Sequence, residues 1–183
     1  MSWEYKLGSF LKSVTDLIGI TPKNSSPTFS QLIVSGVIEQ QEGNIENAVS
    51  AFKMAAFLNP SSDEPYFLLG TCYTEKEDYN AALNEYFFAL DLSRSPKSIS
   101  RASYGCHGSL LFLKEISLSR IFLQLASLFS REEYVDCCEV FLKKTESMIT
   151  STQLEREPAI LQFFLGSIRE SRFSIALKEL RKN

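Results

Sequence analysis

The sequence has little histidine and cysteine, two residue types that often carry out chemistry. It contains one histidine, His107, and no carboxylate stands close to it along the chain. Its cysteines show neither the C-x-x-C spacing of a metal site nor the pattern of a disulfide framework; they are Cys72, Cys106, Cys137 and Cys138. Cys106 and His107 are adjacent, and neighbouring helical residues point about 100° apart. We therefore expect no enzyme, no metal and no cofactor, with His107 at a helix crossing and the thiols buried as small apolar groups.

The chain also lacks a strong charge excess and a long apolar run. Its net charge is −3, and its basic residues form no block before the last dozen positions, so we expect no nucleic-acid partner. No run approaches the ~20 apolar residues that span a bilayer. The first apolar stretch is interrupted by Glu4, Lys6, Lys12 and Asp16, which argues against a secretory signal. We predict a cytoplasmic protein with reduced thiols.

What the sequence does have is an internal repeat with a period of 34 residues. The step relates Gly36 to Gly70, and the same step relates Leu32 to Tyr66, Ala48 to Ala82, Phe52 to Tyr86 and Ala55 to Ala89. A fixed period in the thirties is typical of helical arrays, in which each unit buries its apolar face only against its neighbours. Such arrays usually bind other proteins, so the period indicates a class of function as well as a fold.

Each repeat is predicted to hold two helices. Their spans are Phe29 to about Glu42, Ile45 to Leu58, Pro65 to about Lys76, and Tyr79 to about Leu92, with turns at Gly43-Asn44 and Glu77-Asp78. Asn59-Pro60 ends the second helix because proline cannot continue the hydrogen-bond ladder. Pro65 falls in the first turn of the third, where its missing N–H costs nothing.

The pattern resembles the tetratricopeptide repeat, whose signature is an aromatic residue or Leu, then Leu-Gly, Tyr, Ala, an aromatic residue, Ala and Pro. The second repeat matches it at Tyr66, Leu69-Gly70, Tyr73, Tyr79, Ala82, Tyr86 and Ala89. The first matches it at Leu32, Gly36, Gly43, Ala48, Phe52, Ala55 and Pro60, with Ser35 and Glu39 in place of Leu and Tyr. The resemblance implies an all-α helical solenoid, a right-handed α-α superhelix, with repeats at 29–62 and 63–96.

Beyond the second repeat the pattern decays. Adding three residues to the period places Ile116, Ser119, Leu123 and Ala126 where the second repeat has Tyr79, Ala82, Tyr86 and Ala89. This predicts a degenerate repeat at 100–133, with Cys106, His107 and Gly108 near its close helix crossing. Residues 134–183 are predicted to form C-terminal helices, either a cap or a further degenerate repeat. The expected spans are Glu132 to about Ile149, a break at Ser151-Thr152, and a last pair at Pro158–Glu170 and Arg172–Leu180.

Residues 1–28 precede the repeats and are predicted to form an amphipathic helix and a linker. Apolar residues recur there in steps of four and three, as in a heptad seam: Trp3, Leu7, Phe10, Val14 and Leu17. Pro22 and Pro27 discourage helix in the linker. Three roles stay open for this helix: a cap on its own array, a contact between two copies in a homodimer, or a membrane-surface helix.

In the tetratricopeptide class the first helix of each pair lines the concave face, so the resemblance implies a peptide-binding groove. The side chains that should point into it are Ile33, Val37, Gln40 and Gln41, with Ser30, in the first repeat, and Phe67, Thr71 and Thr74, with Glu64 and Glu75, in the second. Ile33, Val37 and Phe67 would form an apolar strip flanked by amides and hydroxyls, which suits an extended peptide or a partner helix. The alternative is that the N-terminal helix or the third repeat covers this strip.

One use of the repeat is excluded by these positions. Co-chaperones that hold the terminal carboxylate of heat-shock proteins use Lys and Asn on the first groove helix, Asn on the second, and Lys and Arg on the third. Here Ile33 and Val37 occupy the first two positions and Leu68 the third, while Lys97 and Arg101 lie out of register. We therefore do not expect that clamp.

A second resemblance concerns the N-terminal segment. Phe10-Leu11-Lys12 with Thr15 and Leu17, a linker and three degenerate repeats are similar to bacterial type III secretion chaperones for translocator proteins. That likeness implies a cytoplasmic chaperone that holds a proline-bearing segment of a secreted protein in the groove. We predict a non-enzymatic adaptor or scaffold subunit that binds a peptide segment or helix of another protein. A secretion chaperone is the alternative.

Overall fold

The computed structural model describes residues 26–169, including all of their side chains except those of 131–135 and 168–169. Every long regular element in this part is an α-helix and no strand occurs in it, which confirms the all-α class. The helices are α1 (Phe29–Gln41), α2 (Ile45–Leu58), α3 (Glu64–Glu75), α4 (Tyr79–Leu92), α5 (Pro96–Phe112), α6 (Ile116–Phe129), α7 (Arg131–Thr145) and α8 (Ser151–Arg169), with a short 3-10 turn at Glu146–Met148. The predicted N-terminal helix, residues 21–25 of the linker and the predicted helix Arg172–Leu180 lie outside the described residues.

The helices fall into two units, residues 1–60 and 61–183. In the first, α1 packs against α2 as an antiparallel pair. The start of α1 is fixed by a capping box. The Gln31 N–H donates to Thr28 Oγ1 at 3.3 Å, and the Thr28 N–H donates to Gln31 Oε1 at 2.9 Å. The Phe52 ring packs directly on Gly36, where any Cβ would collide with it. Gly36 therefore sets how closely the two helices approach.

In each of the helix pairs α1–α2, α3–α4 and α5–α6, a turn of the same form joins the two helices. Each turn has one residue in the left-handed region: Gly43 with φ 82°, Glu77 with φ 59° and Lys114 with φ 62°. In each, this residue and the next donate N–H groups back to the last turn of the preceding helix, as at Lys114 to Leu111 O (3.1 Å). The three positions are separated by 34 and then 37 residues, which are the same offsets that relate the three repeats in the sequence.

The core of the second unit is built from α4, α5 and α6, and α8 closes it. Phe87 of α4 meets Phe122 of α6 at 5.8 Å between ring centroids, and Phe122 meets Phe164 of α8 at 5.2 Å. Phe122 and Phe164 are fully buried. Burying side chains of this size stabilises a fold by about 1.5–3 kcal/mol each. α8 is therefore part of the core of the second unit.

The helices are interrupted at residues 149–150, just before the predicted break at Ser151-Thr152, but the predicted start of the next helix at Pro158 is wrong: α8 begins at Ser151 and runs through Pro158. A second capping box starts it. The Gln153 N–H donates to Thr150 Oγ1 at 3.3 Å, and the Thr150 N–H donates to Gln153 Oε1 at 2.9 Å. Thr150, the residue before the predicted break, thus caps the helix, and Ser151 and Thr152 are its first two residues.

A buried arginine ties α6 to the C-terminal helices. Arg120 and Glu157 are 4% and 5% exposed, and the Arg120 Nε–H donates to Glu157 Oε1 at 2.7 Å. The other nitrogens donate to Glu157 Oε2 (3.3 Å), to Thr145 Oγ1 (2.6 Å) and to the Leu142 carbonyl. Arg120 stands 37 residues after Leu83, a core residue of the second repeat. One charged side chain at an otherwise apolar position therefore holds three helices.

Candidate functional site

Tyr86 of α4 brings α3 and α5 side by side. Its ring edge lies against two glycines: a Cβ at Gly70 of α3 would be 2.5 Å from Tyr86 Cε1, and one at Gly105 of α5 would be 2.6 Å from it. The Tyr86 hydroxyl lies 3.3 Å from Thr74 Oγ1, whose proton is donated to the Gly70 carbonyl at 2.9 Å. Burial raises the pKa of Tyr86 to about 12, so the hydroxyl stays neutral.

The third repeat differs from its prediction at this crossing. Gly105, one turn ahead of Gly108, is the residue against which Tyr86 packs, and a Cβ at Gly108 would meet no atom within 4 Å. The prediction that placed Gly108 near the close crossing is wrong. His107 occupies the position that corresponds to Gly70, 37 residues earlier, so the contact of Gly105 with Tyr86 is a different crossing, between α5 and α4.

Partly exposed residues lie on one side of α3 and on one side of α5, next to the Tyr86 ring. We call them together the α3/α5 face. On α3 they follow steps of four and three residues and on α5 steps of three, four and three: Phe67, Thr71 and Thr74, then Arg101, Tyr104, Gly108 and Leu111. The two sets meet where the Arg101 guanidinium carbon lies 4.4 Å from the centroid of the Phe67 ring. Phe67 also packs on Tyr86, at 5.8 Å between centroids. Tyr104 and Leu111 are 43% and 37% exposed.

The threonines of this face present acceptors. Thr71 Oγ1 donates to the Leu68 carbonyl at 2.7 Å, and Thr74 Oγ1 donates to the Gly70 carbonyl. Because each hydroxyl proton is used within α3, the remaining lone pairs can only accept hydrogen bonds. The face thus offers an aromatic surface, hydroxyl acceptors and one arginine.

Of the predicted groove residues, Phe67, Thr71 and Thr74 lie together on α3 and are half-buried. Tyr104 and Leu111 were not among the predicted groove residues, and Arg101 had no predicted role. Their helical spacing along α5 can be read from the sequence. The three extra residues between the second and third repeats, however, obscure which α5 positions correspond to those of α3.

Glu64 and Glu75, also predicted for the groove, are the first and last residues of α3, and the other predicted groove residues belong to α1 in the first unit. Ile33, Val37 and Gln40 are half-buried and Gln41 is exposed, and their spacing places them on one side of the helix. The unusual Glu39 is buried beside them and accepts a hydrogen bond from Asn47 Nδ2 at 3.0 Å. Glu39 stands where the repeat signature has Tyr, and Asn47 supplies the partner that the buried carboxylate needs.

His107 lies in a buried polar pair with Ser119 of α6. Nδ1 is 2.8 Å from Ser119 Oγ and 3.1 Å from the Ser119 carbonyl, and the Ser119 hydroxyl also donates to the His107 carbonyl at 3.1 Å. The ring packs edge-on against Phe141 at 4.8 Å. Ser119 is fully buried and His107 is 8% exposed. The pair therefore fills the helix crossing, and its hydroxyl is closed to a substrate.

Lowering the pH should destabilise the protein through His107. Burial lowers the pKa of His107 below its ordinary value of 6.5, so the unfolded chain binds a proton more readily than the folded chain. The stabilisation is complete above the unfolded pKa and is lost as the pH falls through it. Urea unfolding at pH ~7.5 and ~5.5 should show lower stability at the acid pH.

A matched variant isolates that effect, because the chain has one histidine. His107→Gln keeps hydrogen-bonding capacity towards Ser119 but does not titrate. Its stability should change less than that of the wild type between the two pH values. Equal changes in both proteins would show that His107 is not responsible.

The thiols differ from their prediction at one position. Cys72, Cys106 and Cys138 are buried, but Cys137 is exposed, so burial of all four was wrong. Burial raises the pKa of Cys72 to about 12 and raises the pKa of Cys106 and of Cys138. These three therefore stay as neutral thiols. Within the described part of the chain, no three His, Cys, Asp or Glu side chains converge on a point that could hold a metal ion.

A second concave feature lies away from the α3/α5 face. It is a cleft of about 400 Å³ between the start of α6 and the first half of α8, lined by Lys114, Glu115, Ile116, Ser117, Leu118, Met148, Ile149, Gln153, Arg156 and Ile160. Its lining mixes apolar side chains with charges of both signs.

No helix among residues 26–169 is both long and apolar enough to cross a bilayer.

Comparison with known proteins identifies the fold. No family model matches the chain, so the tetratricopeptide assignment stays a prediction, and no curated protein matches its sequence. A chain in a solved CopN–Scc3 complex is similar in structure, with a TM-score of 0.55 and 17% identity. The match covers 75% of this chain and 96% of that one. The chain thus shares the helical fold of a protein solved in a two-protein complex.

Proposed function

We propose that this chain is a non-enzymatic, cytoplasmic protein-binding module that holds a peptide segment or helix of a partner protein on the α3/α5 face. The observation that carries the proposal is the partly exposed Phe67, which is fixed by Tyr86 behind it and Arg101 over it. Apolar anchors of this kind supply affinity, and neighbouring acceptors such as the threonine hydroxyls bind backbone N–H groups. In the first unit, Ile33 and Val37 of α1 are proposed separately as apolar contacts for a partner.

The main form of the proposal is an adaptor or scaffold subunit. A secretion chaperone is the second form, and it is supported by the likeness of the N-terminal segment to translocator chaperones. The fold shared with a chain of a two-protein complex supports protein binding in either form. A chaperone should co-purify with one aggregation-prone partner, whereas an adaptor should appear in a larger stable assembly.

Phe67→Asp should abolish partner binding while the helical fold is kept. A charge at this position cannot be desolvated against Tyr86 and an apolar partner, so affinity should fall by about 100-fold or more. The test is affinity purification of tagged protein from its native cell with quantitative mass spectrometry, together with circular dichroism of each variant. Val37→Asp tests the α1 residues in the same way.

Phe88→Asp is the matched control. Phe88 lies on α4, is 51% exposed and is not part of the α3/α5 face. Partners lost from Phe67→Asp but kept by Phe88→Asp bind through the proposed face. If Phe67→Asp and Val37→Asp both keep every partner, the groove proposal is wrong.

A further inference from the structure

Arg101 is held in place but is short of hydrogen-bond acceptors. Its guanidinium lies over the Phe67 ring, and Nη2 donates to Asp63 Oδ2 at 3.2 Å. Of its five N–H donors, this is the one that makes a hydrogen bond to a described residue, and the buried Nε has no partner among them. Guanidinium groups bind carboxylates best through two parallel hydrogen bonds. Arg101 is therefore oriented by stacking, and its capacity for a carboxylate is incompletely used.

Asp63 has an alternative position for its carboxylate. It is the N-cap residue of α3, where aspartate usually accepts a hydrogen bond from a first-turn N–H. Its side chain makes no such bond here and contacts Arg101 instead. Once displaced from Arg101, the carboxylate would still lie at a helix N-terminus, which favours negative charge. The Asp63 side chain is also 22% exposed, so water can solvate the carboxylate when another carboxylate replaces it at Arg101.

The charges on the α5 side of the face favour an acidic group at this point. Arg101, whose side chain is 31% exposed, is the charged residue of α5 on this face, whereas α3 begins and ends with the carboxylates Glu64 and Glu75. Lys97 is exposed one turn earlier on the same side of α5 and adds a second positive charge. Towards the C-terminal end of α5 the face continues with apolar Tyr104 and Leu111, and with Gly108 next to open space.

We propose that Arg101 binds an acidic side chain of the partner segment, which replaces the carboxylate of Asp63. The occupant is an extended peptide in which Asp or Glu stands beside an apolar residue. The carboxylate binds Arg101, and the apolar residue packs on Tyr104 and Leu111 where Gly108 leaves room. This inference rests on the proposed function, and it adds the chemical class of the peptide.

The experiment is a selection from a random-peptide display library in which both ends of each peptide are blocked or fused. Peptides enriched on the wild-type protein, and lost on Phe67→Asp, should contain Asp or Glu next to an apolar residue. The enriched sequence is then made as a labelled, acetylated and amidated peptide, and its Kd is measured by fluorescence anisotropy.

Two variants should shift that Kd in opposite directions. Arg101→Gln should weaken binding about tenfold or more, because a charge-assisted hydrogen bond is lost. Asp63→Asn should tighten binding about threefold to fivefold, because the competing carboxylate of a partly exposed ion pair is removed. Arg94→Gln, an exposed arginine off the face, is the control and should leave Kd unchanged. A purely structural ion pair would make Arg101→Gln and Asp63→Asn equally harmful.

The outcomes separate this inference from the proposed function. Phe67-dependent peptides with no acidic enrichment, or with a Kd that Asp63→Asn fails to tighten, overturn the carboxylate assignment and leave the proposed function standing. Binding that needs a free peptide C-terminus also overturns it, because the assignment is to a side chain. If no Phe67-dependent peptide is enriched, both proposals fail.

Discussion

Replacing Arg120 by methionine should lower the free energy of unfolding by about 3–5 kcal/mol, because it leaves the buried Glu157 carboxylate without its partner. The same change removes the hydrogen bonds to Thr145 and to the Leu142 carbonyl. Urea unfolding followed by circular dichroism at 222 nm, a helix signal, measures the loss. This is the largest single-residue effect that we expect away from the apolar core.

The double variant Arg120→Met, Glu157→Leu tests the cause. When both charges are replaced by apolar groups of similar size, stability should return close to that of the wild type. Arg156→Met removes an exposed arginine beside Glu157 and should change stability by less than about 0.5 kcal/mol. A double variant no more stable than Arg120→Met alone would mean that packing, and not the unpaired charge, causes the loss.

Two glycines on α5 should respond to alanine with opposite signs. Gly105→Ala places a Cβ 2.6 Å from Tyr86, and Gly70 holds the ring from the other helix, so the ring cannot move aside. We expect a loss of about 1–3 kcal/mol, as for other overpacked cores. Gly108→Ala meets no atom and should gain up to about 1 kcal/mol through helix propensity. Thermal and urea unfolding of the two variants give the comparison.

A shortened side chain at Tyr86 tests the mechanism of the first effect. The third repeat has Leu123 where the second has Tyr86, so leucine is compatible with this position in the fold. In the Tyr86→Leu background, Gly105→Ala should cost less than it does in the wild type. An unchanged cost would show that the collision with Tyr86 is not the reason.

The helices α1 to α4 were predictable from the sequence because local signals and the repeat agree there. The helix ends are marked by two prolines, Pro60 and Pro65, and by the turn at Gly43. The predicted bounds differ from the observed ones by a residue or two. The start of α8 was predicted seven residues too late, at Pro158 and not at Ser151, because the proline was given more weight than the capping pair Thr150 and Gln153. Proline removes one N–H from a helix but does not prevent it when the flanking turns pack well.

The α3/α5 face was only half predictable. Phe67, Thr71 and Thr74 follow from the period, since α3 repeats a known pattern. Arg101 and its contact with Asp63 join residues 38 apart on different helices, and a period of 34 residues does not relate them. The pair Arg120 and Glu157 was likewise not predictable, because the sequence does not indicate which residue will pair with a buried charge.

The position of Tyr86 has a consequence for how a partner is met. The ring sets the distance between the two helix backbones of the face through Gly70 and Gly105, and it does so from within the core. For the proposed partner, the distance between the two helices is consequently set before binding, so little chain entropy should be lost on binding. Selection among partners should then depend on fit to a preset width, with adjustment confined to the side chains that line it.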